Sequence, residues 1–287
     1  MQKFIAASIV LALAACANQS VEAPAAPPEP EALTLTWRTP GFAQPESVAL
    51  SDDGSFLYVS NVAGTPSDKD GVGFISRLSV EGEMLQREWV SGLNAPKGLL
   101  RSGDALYVTD IDQVIAIDAR TGAIRSRTPV PEARFLNDIT ETPAGLILFS
   151  DTGAGRIFSL RNGAAEVWLE DPLLGGVNGF LPEASRLVVV TTQGRLLAID
   201  YQSRAISVLS TNAAEGDGVG ALGEGRYITS AYPGDIRVIA ADGTHRVLVD
   251  ERATPRAMND NLLVGDVLYQ THMRPGEVSA YRVTGVR

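Results

Sequence analysis

Leu57-Tyr58-Val59-Ser60-Asn61 and Leu106-Tyr107-Val108-Thr109-Asp110 are two copies of one pattern: an apolar triplet, a small hydroxyl residue, then a polar one. The pattern returns at Ile147-Leu148-Phe149-Ser150-Asp151 and in Leu187 to Thr192. Two weaker copies are Arg226-Tyr227-Ile228-Thr229-Ser230 and Leu268-Tyr269-Gln270-Thr271-His272. Aligned on Tyr58, Tyr107, Leu148, Val189, Tyr227 and Tyr269, the copies recur every 38–49 residues. The longest interval holds an insertion rich in turn residues, Ala63 to Val72. After each copy comes a turn residue and an alternating apolar strand, starting at Gly73, Gln113, Gly155, Gly194, Gly234 and Gly276. Turn dipeptides such as Asn162-Gly163 and Asp242-Gly243 follow, then a further short strand. Four short strands per period of roughly 40 residues is the signature of propeller blades. A β-solenoid would use shorter repeats. The expectation is an all-β, six-bladed β-propeller over residues 33–287.

The sixth copy reaches the chain end straight after its third strand. Leu33 to Arg38 alternates like an outer strand and precedes the first copy. It is expected to complete blade six, which closes the ring and removes an exposed edge.

Residues 1–15 read as a signal: Lys3 is positive, Phe4 to Ala12 is apolar and too short to span a bilayer, and small residues follow. Leu13-Ala14-Ala15-Cys16 resembles a bacterial lipobox, which implies cleavage before Cys16 and lipidation of its sulfur. Cys16 is the only cysteine, so no internal disulfide is possible. Residues 16–32, rich in Ala, Pro and Glu, read as an extended tether. Ala17 after the cysteine points to the outer membrane, with the domain in the periplasm. The net charge of −10 and the absence of a basic run argue against nucleic acid as a partner. The chain is expected to be a monomer that meets the membrane only through its lipid.

In a propeller, the innermost strand of each blade starts beside the central channel. The residues at that phase are Glu46, Lys97, Asn137, Asn178, Asp217 and Asn259. Packing does not require six polar residues there. Two carboxylates and two or three amide oxygens form a hard donor set, with no Cys and neither His in the row. Such a set favours Ca²⁺, with Mg²⁺, Mn²⁺ or Zn²⁺ as alternatives. Residue by residue, turn chemistry is the competing reading: Asn178-Gly179 and Asp217-Gly218 are turn dipeptides, and Asn137-Asp138 and Asn259-Asp260 could cap loops.

The row resembles that of the gluconolactonase/regucalcin (senescence marker protein) family of six-bladed propellers. That family holds a metal with a Glu before the first blade strand, an Asn in Asn-Asp, an Asn in Asn-Gly and an Asp in Asp-Gly. Glu46, Asn137, Asn178 and Asp217 match these positions. The chain departs in Pro45-Glu46-Ser47, where the family often has Glu-Gly-Pro, and in Arg134, offset three residues before Asn137. The resemblance implies a metal-dependent hydrolase of a lactone or related ester, with Asp217 both ligand and proton acceptor. Asp138 is a second base candidate. Lys97, Arg134, Asn259 and His272 are candidates to bind substrate, with a structural histidine the competing reading for His272. No Gly-x-Ser-x-Gly elbow is present. The alternative function is a non-catalytic binding or scaffold propeller with a structural cation.

Overall fold

The computed structural model of the chain describes residues 31–254 and 256–285. The signal, Cys16 and nearly all of the tether lie outside the described residues. Six separate four-stranded sheets are present, each paired antiparallel in chain order from inside to outside. Blades 1 to 5 have inner strands Pro45–Leu50, Pro96–Ser102, Leu136–Glu141, Val177–Pro182 and Gly216–Gly223. Blade 6 consists of Ala257–Val264, Val267–Arg274 and Glu277–Val283, and its outer strand is Leu33–Pro40. That early strand runs antiparallel to Glu277–Val283, so the last blade is completed from the other end of the domain. Ala32 exchanges hydrogen bonds with Thr284, and Glu31 pairs with Arg226 and Arg246.

The alternating strands bury both faces because each sheet is packed against two others. One apolar cluster fills each gap between neighbouring blades. Tyr58, Ile75, Leu99 and Ile115 join blades 1 and 2; Phe149, Phe158, Val114 and Leu136 join blades 2 and 3. Leu148, Ile157, Leu187 and Leu197 join blades 3 and 4, and Val188, Val190, Val219 and Tyr227 join blades 4 and 5. Leu222, Ile236, Met258 and Leu268 join blades 5 and 6; Leu57, Val59, Tyr269 and Val278 close the circle. Each fully buried Leu or Ile contributes about 1.5–3 kcal/mol.

The pairing corrects the repeat alignment in two blades. Tyr58 faces Ala49 in blade 1; the residues in the same place are Val188 in blade 4 and Ile228 in blade 5, each one position from the sequence alignment. The triple valine of blade 4 offers no landmark, and its hydroxyl slot holds Val190. In blade 5 two hydroxyls stand side by side, and Ser230 rather than Thr229 takes the conserved geometry.

Candidate functional site

Each inner strand breaks register at one shared place, the same in all six blades; the inner strands of blades 5 and 6 carry a second break beside Ala221 and Ala257. The breaks fall between Pro45 and Val48, Pro96 and Leu99, Leu136 and Ile139, Val177 and Phe180, Gly216 and Val219, and Met258 and Asn261. A bulge of this kind frees residues from the ladder and re-aims them. The first freed residue in each case is Glu46, Lys97, Asn137, Asn178, Asp217 or Asn259. All six are buried. The second freed residues are Ser47, Gly98, Asp138, Gly179, Gly218 and Asp260.

The hydroxyl of the five-residue repeat repairs the backbone that the bulge leaves unpaired. Ser60 Oγ accepts from Ser47 N at 2.9 Å, and Ser150 Oγ from Asp138 N at 2.8 Å. Ser230 Oγ accepts from Gly218 N at 3.0 Å and donates to Asn259 O at 2.6 Å. Thr271 Oγ1 donates to Glu46 O at 2.7 Å, and Thr109 Oγ1 donates to Asn137 O. These hydroxyls tie one blade's bulge to its own second strand or to the next blade.

Asn178-Gly179 and Asp217-Gly218 are not turns but lie within inner strands. A Cβ on Gly179 would lie 1.9 Å from Asp217 O, and one on Gly218 would lie 2.3 Å from Asn261 N. Both glycines let adjacent inner strands touch at the axis.

The carboxylates converge from four blades. Burial raises Glu46 well above the usual range, and Asp217, Asp260 and Asp138 raise it further, while Lys97 opposes them. Asp217 is raised by burial and by Asp260, against a hydrogen bond from Asn178. Asp138 is raised by burial and by Asp260 and Asp217. It bridges blades: Oδ2 accepts from Phe180 N at 2.5 Å and Oδ1 from Ile139 N at 2.8 Å. Asp260 sits opposite it in the order of blades. Its Oδ2 accepts from Ser47 Oγ at 2.6 Å, and burial lifts it to about 6. Asp260 and Ser47 were not singled out from sequence; the repeated Asn-Asp at 137–138 and 259–260 was the available signal.

Lys97 is the cation that opposes the shift of Glu46 in this cluster. Burial lowers it to about 8, against Glu46 and Asp110. Its Nζ donates to Ala95 O at 3.1 Å and to Pro66 O at 3.0 Å, and it lies 4.2 Å from the Phe135 ring centre. The insertion between blade strands therefore reaches the channel mouth, and Lys69 pairs with Asp112 at 2.5 Å to hold it over blade 2. Asn259 Oδ1 is buried without a hydrogen-bond partner, as is Asn261 Oδ1.

Two sequence candidates stand apart. Arg134 is exposed on the loop entering blade 3, its backbone N bonded to Asp151 Oδ2 at 2.9 Å. His272 is fully buried, with Nε2 2.9 Å from Ser279 Oγ. Burial, Arg38 and Arg256 hold it near 3, so it is neutral and carries no proton back and forth at pH 7. It occupies the strand-end position of Asn61, Asp110 and Asp151. In the last two, the side chain secures the incoming loop rather than facing the channel: Asp110 accepts from Asn94 and Ala95, and Asp151 from Arg134 and Phe135.

On donor chemistry, the ring suits a hard divalent cation. Among the described residues, no three His, Cys, Asp or Glu side chains form a metal-holding group by themselves. A cation here would draw on amide oxygens of Asn137 and Asn178 beside Glu46 and Asp217, as Ca²⁺ sites commonly do. Below the ring the channel opens on the other face as a cavity of about 410 Å³, lined by Leu50, Leu100, Phe180, Leu263, Asp138 and Asp260 among others.

A family model described as PQQ_2, outer membrane protein assembly factor BamB, matches residues 85–208, from the outer strand of blade 1 through blade 4. The sequence matches none of the curated proteins at a significant level. Among solved structures, the fold is similar to virginiamycin B lyase from Staphylococcus aureus with quinupristin. The identity is 13%, the coverage 88% of this chain and 99% of that one, and the TM-score 0.61. A streptogramin B lyase matches at 14% identity, 88% and 98% coverage and TM-score 0.60. A chain of a nidogen/laminin complex matches at 16% identity, 73% and 86% coverage and TM-score 0.61. At these identities the likeness is one of fold alone, shared with two lyases and with a chain of a nidogen/laminin complex.

Proposed function

We propose that this chain is a divalent-cation-dependent hydrolase of a lactone or related ester, of the gluconolactonase type, held in the cell envelope through Cys16. One observation carries the reading. Glu46, Asp138, Asp217 and Asp260 are crowded in the channel, each with its pKa pushed up, and Lys97 is the counter-charge that opposes them at Glu46. Such crowding costs stability unless a cation offsets it, and it clusters at functional sites. The orphan Asn259 Oδ1 adds an unused oxygen to the same ring.

Bound among Glu46, Asn137, Asn178 and Asp217, Ca²⁺ or a similar ion would polarise an ester carbonyl and acidify a water. The chain's own residues have separate tasks. Asn178 holds the Asp217 carboxylate by a hydrogen bond, and Asp217 accepts the proton from the attacking water. Asp138 is tied to two backbone N–H groups, which suits a positioning carboxylate better than a mobile base. Lys97 and Asn259 border the same space and orient the acyl oxygens, and the Pro66 loop limits access from above.

The test is a chelator-treated full mature chain, assayed with Ca²⁺, Mg²⁺, Mn²⁺ and Zn²⁺ on a panel of lactones and aryl esters, alongside elemental analysis. Activity should return with one ion and disappear in Asp217→Ala. The partial match to an assembly-factor family favours one other reading, a binding platform in the envelope. That reading gains if the cation raises the melting temperature but no substrate turns over.

A further inference from the structure

A large cavity lies far from the ring, on the opposite face, in the groove between blades 3 and 4. Its volume is about 880 Å³. It is walled by the turns at Thr142–Leu146, at Arg161–Asn162, at 184–185 and at 200–204, which join strands at the ends remote from the bulges. Leu146, Leu160, Pro143 and the Trp168 indole provide an apolar floor. Two guanidiniums face this space. Arg204 stacks on Trp168 with its Cζ 4.0 Å from the ring centre and donates to Tyr201 O. The Arg161 side chain is exposed, with no hydrogen bond or ion pair among the described residues. Burial and the Arg161 charge both disfavour the Arg204 cation, while Asp200 favours it. Asp200 Oδ1 is already engaged by Gln202 N, Ser203 N and Ser203 Oγ. A positive pocket thus stands in a chain of net charge −10.

Two more polar atoms of the wall lack partners. Trp168 Nε1 and Tyr201 Oη are buried without a hydrogen bond. The indole N–H can only donate, and burial together with the Glu183 carboxylate holds the Tyr201 phenol protonated, near 12, so it too carries a donor proton. A buried donor left unpaired costs about 1–3 kcal/mol. Both buried unpartnered donors therefore call for an acceptor, and the two guanidiniums favour negative charge beside an apolar surface.

We propose that this groove binds a small aryl carboxylate, its anion against Arg161 and Arg204 and its ring on Leu146, Leu160 and Trp168. The site is independent of the ring chemistry. The probe is 2-naphthoate, titrated into the full mature chain and followed by Trp fluorescence and by the indole N–H signal of Trp168, assigned with Trp168→Phe. Saturable binding is expected, at least tenfold weaker for neutral 2-naphthamide and at least tenfold weaker in Arg161→Met and in Arg204→Met. Asp217→Ala should bind as the parent does. Arg161 is exposed, so its variant keeps the fold even if Arg204→Met does not. Equal binding of the amide, an unaffected Arg161→Met, or no binding up to millimolar naphthoate overturns the proposal. Capture of acidic peptides in place of naphthoate also overturns it and assigns the groove to a protein partner.

Discussion

Replacing Asp260 by Asn tests whether burying an ionised carboxylate in the channel costs the fold stability. Burial raises Asp260 from 3.8 to about 6 in the fold. The native state then binds more protons than the unfolded chain between pH 4 and pH 6. Stability from the protonated acid is complete below about pH 4 and is lost as pH rises through about 6. The shift of about 2 pH units at 1.36 kcal/mol each gives a penalty of about 3 kcal/mol at pH 7.5, as an upper figure. Glu46, Asp138 and Asp217 are displaced in the same direction. Asp260→Asn removes its share and still offers Oδ1 to Asn261 N, which Asp260 Oδ1 accepts at 2.8 Å. In chelator at pH 7.5 the variant should therefore melt higher, by roughly 6–12 °C if the full figure is realised. At pH 4.5 the gain should vanish or turn into a loss of about 1 kcal/mol, because the short bond from Ser47 Oγ is weakened. The comparison must be a difference between variant and parent. His272, held near 3, contributes in the opposite sense over pH 3–6.5, since the unfolded chain binds its proton there; the difference cancels it. The exposed Asp53 and Asp250, near 2, act only below about pH 4. Lys97, near 8, acts above about pH 8. Differential scanning calorimetry from pH 4 to 8 reads the result. A variant no more stable than the parent at pH 7.5, or one with the same gain at pH 4.5, refutes the reasoning.

Other expectations follow from single contacts. In chelated protein, Ca²⁺ should raise the melting temperature more at pH 7.5 than at pH 5, and Asp217→Asn should abolish that rise; an equal response at both pH values argues against a carboxylate site. Ser230→Ala strips partners from Gly218 N and from Asn261 Nδ2, and should cost about 2–3 kcal/mol in urea unfolding, with Thr229→Val far milder. Gly179→Ala forces a Cβ into Asp217 O, so a loss of about 3 kcal/mol or more is expected, together with the cation response. Cys16→Ser should release the protein from membranes into the soluble fraction, as read by fractionation and fatty-acid labelling.

The repeat was legible because each blade obeys the same local constraints. A period-2 strand, a hydroxyl and a turn recur in the chain whatever lies around them. The closing strand was legible because the last copy lacks its fourth strand. Where the local landmark was ambiguous, as in Val188-Val189-Val190 and Thr229-Ser230, the reading slipped by one residue, and only the ladder to the inner strand resolved it. The phase of Glu46, Lys97, Asn137, Asn178, Asp217 and Asn259 was likewise readable, since equal positions in equal units lie at equal distances from an axis.

What the sequence determined by itself is this modular order: six units, one polar residue per unit at one phase, and a first strand destined for the last sheet. What the tertiary structure alone decided is which groups share a dielectric environment. Asp260 joined the cluster and His272 left it because burial and electrostatic coupling depend on where side chains end after a bulge or a strand end, not on residue type. Arg161, Arg204 and the Trp168 indole became one groove for the same reason: Arg161 and Trp168 lie on the two outer strands of blade 3 and Arg204 on a turn of blade 4, and only the docking of blade 3 on blade 4 brings them to one surface. Periodicity is a property of the chain, whereas proximity across the axis and across blades is a property of the closed ring.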